Sequence, residues 1–163
     1  MKKTQLDQPF VIIFGVIVMA LVLIFGADMI IKSIKLSSDV EAKTFMDNLN
    51  SKVEECYNLG YQSIVGLDKL SVPTPFDYAC FIDPNIALNT NIPYPINSTL
   101  SGYMNIERTE NFYLLESGRN GKVQSSTIKN LKVSDNPTCF SIKDRRISAV
   151  LENMGEYVLV KRV

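Results

Sequence analysis

Residues 10–27 read FVIIFGVIVMALVLIFGA, eighteen in succession without a charged or strongly polar side chain. At about 1.5 Å per helical residue, such a run approaches the thickness of a hydrocarbon layer. Met29, Ile30 and Ile31 extend it past a single Asp28. The rest of the chain is too short to surround this segment on all sides, which argues against a buried globular helix. It therefore needs lipid, or other copies of itself, around it. A cleaved signal peptide has a shorter apolar region and a small residue three positions before the cut. Cleavage after Ala27 would put Phe25 there, and cleavage after Gly26 would put Ile24 there. A retained anchor is the expectation.

Orientation rests on a narrow charge balance. Lys2, Lys3 and the terminal amine precede the apolar run, and Lys32 and Lys35 follow it. Positive charge marks the cytoplasmic flank, and the two flanks nearly tie. The cysteines and a glycosylation sequon further on favour an N-terminus inside and the remainder outside.

About 125 residues follow the anchor, enough for one compact domain. Residues after Ser37 carry 13 Lys or Arg and 15 Asp or Glu, so this part is near neutral and has no basic stripe. Nucleic acid and anionic lipid patches both call for clustered positive charge, and neither is an expected partner. The chain contains no histidine. That removes Ser-His-Asp and Cys-His catalysis and most transition-metal sites. Carboxylate or Ser-Lys chemistry remains, but no spacing points to either. The expectation is a protein without enzymatic activity, metal or cofactor.

Beyond Ile31 the sequence stays compatible with a helix, having no Gly or Pro until Gly60. Ala42, Phe45, Leu49, Val53 and Cys56 recur at helical spacing and form one apolar stripe. Glu41, Lys43, Asp47, Lys52 and Glu55 lie elsewhere on the same helix. Ser38-Asp39-Val40-Glu41 has the form of a capping box, where a fresh helix can begin. Two readings stay open: one helix of roughly 75 Å, or two helices with a kink near residues 36–38. Gly60 is placed to cap the helix C-terminus.

Short β-prone runs then alternate with turn residues at 63–65, 78–82, 112–115, 128–133 and 139–142. Residues 147–151 and 157–160 flank Asn153-Met154-Gly155 as a hairpin. Residues 83–101, rich in Asn and Pro, read as a long surface loop. The expected fold is thus α+β. A long N-terminal helix, half transmembrane and half amphipathic, packs on a small antiparallel β-sheet domain. The boundaries are a tail over 1–8, a transmembrane or filament-core helix over 9–36, an amphipathic helix over 37–59 and a β-rich domain over 60–163.

Three cysteines are present. Cys80 and Cys139 both lie in short strand-like segments followed by Phe, and a disulfide between them is the first expectation outside the cytoplasm. A bridge from Cys56 to either one, or no bridge, are the alternatives. Asn97-Ser98-Thr99 is an N-glycosylation sequon in the Asn/Pro-rich stretch. Asp83, Asn85, Asn89 and Asn91 offer oxygen ligands but match no calcium-loop spacing, so a solvated turn-forming loop is preferred. Glu54-Glu55 and Asp144-Arg145-Arg146 read as solvated faces. Tyr94, Tyr103 and Tyr113 fit either core or surface.

An apolar N-terminal helix running into an amphipathic one, followed by a small β-rich domain, resembles the layout of type IV pilins and pilin-like proteins. More narrowly, the chain is similar to short archaeal membrane-anchored proteins. The resemblance lies in QPFVIIFGVIV, in Cys80-Phe81-Ile82-Asp83 and in the closing TCFSIKDRRISAVLENMGEYVLV. Pilin precursors carry a basic leader ending in Gly or Ala before the apolar helix. Here MKKTQLDQPF has neither, and Asp7 is the acidic residue nearest the usual Glu position, so an unprocessed N-terminus is expected. The resemblance implies a structural subunit of a surface filament, assembled through the apolar helix, with Gly15 and Gly26 as helix-packing residues. The alternative is a single-pass accessory protein whose outer domain binds another envelope or membrane-complex component. The implied partners are the bilayer, copies of the same chain, or that envelope protein.

Overall fold

The computed structural model describes residues 7–89, 96, 100, 102, 109–118 and 121–162. Its first element is a single continuous helix, α1 (Asp7–Tyr57), and Ser38 to Glu41 lie within it rather than starting a fresh helix. Among the described residues, eight strands follow: β1 (Ile64–Gly66), β2 (Tyr78–Phe81), β3 (Phe112–Leu115), β4 (Val123–Ser126), β5 (Leu131–Val133), β6 (Thr138–Ser141), β7 (Ala149–Asn153) and β8 (Val158–Arg162). The α+β expectation holds. The chain divides into two compact units, Met1–Asp39 and Val40–Val163.

In the first unit every described residue from 7 onward is helical. Its large apolar side chains are uncovered all round, from Val18 at 40% exposure to Met29 at 71%.

The second unit holds the core. Ala42, Phe45, Leu49, Val53 and Cys56 are all buried, joined by Met46, so the apolar stripe of the helix faces the β structure as its spacing predicts. Where one sheet was expected there are two. One has the order β1-β7-β8-β5 and the other β4-β3-β2-β6. The pairings are antiparallel except β5 with β8, which run parallel. Helix and both sheets share the larger core. Phe112 links Phe45 (6.1 Å between ring centroids) to Phe81 (4.9 Å), and Phe81 meets Phe140 edge-on at 5.8 Å.

The β2–β3 sheet is covered on both faces. Phe81, Phe112 and Leu114 point into the larger core, while Cys80, Tyr113 and Leu115 belong to a second cluster with Ile96 and Leu100. Strands buried on both faces carry continuous rather than alternating apolar runs, which explains YACF and FYLL. Of the stretch read as a surface loop, residues 83–89 are exposed or half-buried and form no helix or strand, whereas Ile96 and Leu100 depart from that reading. Ile96 is 6% exposed and Leu100 0%, because the second face of the sheet would otherwise meet water. Tyr113 is core, at 4% exposure, whereas Tyr94 and Tyr103 lie outside the described residues.

The C-terminal hairpin forms with Asn153 opposite Val158, and Gly155 takes φ 87° in its turn. Gly60 is not the helix cap, since it does not adopt a positive φ; Gln62 does, at 66°. Beside the local bonds from Asn58 N–H to Glu54 and from Leu59 N–H to Cys56, carbonyls at and just beyond the helix end are met by the side chain of Asn153. Its Nδ2 donates to the carbonyls of Cys56 (3.0 Å), Tyr57 (2.9 Å) and Leu59 (2.7 Å). A side chain arriving from the sheet removes the need for a local left-handed cap.

Candidate functional site

The apolar surface of the first unit is the most distinctive feature of the molecule. From Val11 to Leu36 its large apolar side chains are at least 40% exposed, and the segment is long and apolar enough to cross a membrane. A surface of that extent in water would drive association, because removing apolar area from water is worth about 25 cal/mol per Å². Gly15 and Gly26 are eleven residues apart, close to three full turns, so they share one helix face. A Cβ added at either would have no heavy atom within 4 Å, leaving the backbone open to close approach by another helix. Between Val11 and Ile34 the apolar surface is interrupted by an ion pair: Lys32 Nζ donates to Asp28 Oδ2 at 2.7 Å.

In the second unit, Cys80 and Cys139 are register partners on β2 and β6 and form a disulfide. Cys56 is buried as a free thiol, with its Sγ 3.5 Å from the carbonyl oxygen of Leu151. Burial, followed by the negative charges of Glu55 and Glu152, pushes this thiol above its ordinary value of 9.0. It is thus held neutral, as a packing residue rather than a nucleophile.

The oxygen-rich stretch near Asp83 is organised by hydrogen bonds. Asp83 Oδ1 accepts from the backbone N–H (2.9 Å) and Nδ2 (3.2 Å) of Asn85. Asn136 Oδ1 accepts from the Asp83 N–H (3.0 Å), and its Nδ2 donates to the carbonyls of Asp83 (2.9 Å) and Ile86 (2.7 Å). Asn89 donates its N–H to the Asn136 carbonyl, and Asn91 lies outside the described residues. The sequon residue Asn97 also lies outside them. Among the described residues, no three His, Cys, Asp or Glu side chains gather as metal ligands.

A cleft of about 310 Å³ opens between residues 68–71 and 144–146. Its rim is fixed by Arg145, whose Nε donates to the Val72 carbonyl (3.0 Å) while Val72 donates its N–H to the Arg145 carbonyl (2.8 Å). Asp144 and Arg145 both take positive φ, at 50° and 59°, as a two-residue turn between Lys143 and Arg146 requires. The two-sided clamp on Val72 accounts for an arginine at a position where Gly or Asn would be easier.

Three asparagines thus do structural work that sequence patterns did not single out: Asn153, Asn136 and Asn111. The last exchanges both hydrogen bonds with the Ile128 backbone, at 2.8 and 2.7 Å. Burial is the only mark that distinguishes them from turn asparagines, and burial is not visible in a local window.

No family model, curated protein or solved structure matches this chain.

Proposed function

We propose that the chain is a pilin-like structural subunit of a cell-surface filament, assembled by packing its N-terminal apolar helix against copies of itself. The supporting observations are the uncovered large apolar side chains from Val11 to Leu36 in the first unit and the packed core of the second. In this reading the β unit stands outside the cell, as the Cys80–Cys139 disulfide favours, and the N-terminus starts inside. Asn97 would then be accessible to glycosylation. The archaeal resemblance of the sequence belongs to the same reading.

A second reading, a single-pass accessory protein binding another envelope component, draws support from the length of the apolar run. Eighteen residues match one hydrocarbon thickness closely. Electron microscopy of cells expressing an epitope-labelled chain separates the two. Label along surface filaments is expected. Carbonate-resistant membrane protein that co-purifies from detergent with one stoichiometric partner, and never with itself, would establish the second reading instead.

A further inference from the structure

Between Val11 and Ile34 only Asp28 and Lys32 carry charge. They do not end the apolar surface but sit within it. Phe25 precedes them at 65% exposure, and Met29, Ile30, Ile34 and Leu36 surround or follow them at 62–71%. Their intrahelical contact is a single bond of 2.7 Å, with side chains 74% (Lys32) and 59% (Asp28) exposed. An ammonium group has three donors and a carboxylate about four acceptor positions, so most of their capacity is unspent within one helix. When such a surface packs against another helix the pair loses water. A buried pair is tolerated only when further opposite charges or hydrogen bonds reach it.

A second copy of the same helix supplies those groups when it is shifted along the axis. Parallel copies in phase set Asp28 against Asp28 and Lys32 against Lys32, which repel. A slide of four residues, about 6 Å along the axis, sets Asp28 of one copy level with Lys32 of the next. Each charge then lies between two of opposite sign, one in its own helix and one in the neighbour. Copies at equal depth in a flat bilayer cannot adopt that offset, whereas successive subunits of a filament can.

We infer that Asp28 and Lys32 are the register contact between neighbouring copies of this chain, Asp28 of one helix pairing with Lys32 of the next across an axial offset of about 6 Å. The inference rests on the filament reading and specifies its geometry.

Full-length chains bearing Asp28→Lys or Lys32→Asp, expressed singly and together, provide the test. Each alone is expected to lose filaments. Co-expression is expected to restore them, because opposite charges then meet only between chains while each helix keeps two like charges. Membrane yield and formation of the Cys80–Cys139 disulfide report that each variant is made and folded. Single variants that polymerise like the parent, or a mixture that stays unassembled, overturn the inference. Mixed Asp28→Cys and Lys32→Cys chains test the offset separately: oxidation should link position 28 to position 32. Links from 28 to 28 and 32 to 32 overturn it. If the unaltered chain forms no filaments, the functional reading fails and this register with it. Filaments indifferent to both charges sink the register alone.

Discussion

The side-chain amide of Asn153 donates to the main-chain carbonyl of Cys56 at 3.0 Å, and the Cys56 thiol lies 3.5 Å from the carbonyl oxygen of Leu151 on the same strand. The last turn of α1 and strand β7 are thereby tied at two points, far apart in sequence and adjacent in the core. The same amide reaches Tyr57 and Leu59, while its oxygen accepts from the Gly155 N–H at 2.7 Å. One residue, 2% exposed, caps the helix and shapes the hairpin turn.

Replacing Asn153 by Ala takes the amide donor from the part-buried carbonyls of Tyr57 and Leu59, while the Cys56 carbonyl keeps the Leu59 N–H. A loss of about 3 kcal/mol is expected, read from urea unfolding of the detergent-dispersed chain. Asn153→Asp should cost more, because a carboxylate would face those carbonyls at the negative end of the helix. Parent-like stability in both variants would show that water or a local cap can substitute.

The disulfide between Cys80 and Cys139 closes a loop with a sequence separation of 59. In the chain-entropy account, the Cys80→Ala/Cys139→Ala double variant loses about 4 kcal/mol. Thermal or urea unfolding of oxidised parent against the double variant measures it. Intact mass after alkylation should count one free thiol in the unfolded parent, that of Cys56.

Cys56 has its proton held by burial first, and by the charges of Glu55 and Glu152 second. With the folded value raised above 9.0, the folded chain keeps a proton that the unfolded chain gives up. The contribution to stability is present in full below 9.0 and is lost as pH rises through the raised folded value. Stability measured on both sides of that window should fall more steeply in the parent than in Cys56→Ala. At neutral pH, maleimide should label Cys56 only after unfolding.

Val18 lies near the centre of the apolar run. Val18→Arg places a charge where insertion scales assign a penalty of roughly 3 kcal/mol. The fraction of newly made chain that resists carbonate extraction should drop. A fraction equal to that of the parent would mean that this part of the helix never enters hydrocarbon.

Periodicity made the helix legible, because a repeat of apolar residues at 42, 45, 49, 53 and 56 has one structural solution. The hairpin around Gly155 and the strands at 78–81 and 112–115 were equally legible, since β-branched and aromatic runs between turn residues are a local signal. Strand β4 was not. Val123–Ser126 reads VQSS, with little intrinsic strand character, and it exists because it pairs with β3 along its whole length. Residues 128–133 carried the right apolar content, but Ile128 serves the core from outside the strand, and β5 begins only at Leu131.

The sequence by itself determined that an unbroken apolar segment opens the chain, that a helix with one apolar stripe follows, and that β-rich structure completes it. Those properties reside in consecutive or periodically spaced residues, where backbone geometry translates spacing directly into a face. Only the tertiary structure decided that there are two sheets, that one of them is covered on both faces, and that Asn153 rather than Gly60 caps α1. Each of these depends on residues tens of positions apart meeting in a core, and hydrogen-bonding capacity alone does not reveal which partner a buried amide will find. The opening segment stands at the boundary between the two. Its length makes it a helix and its composition demands cover.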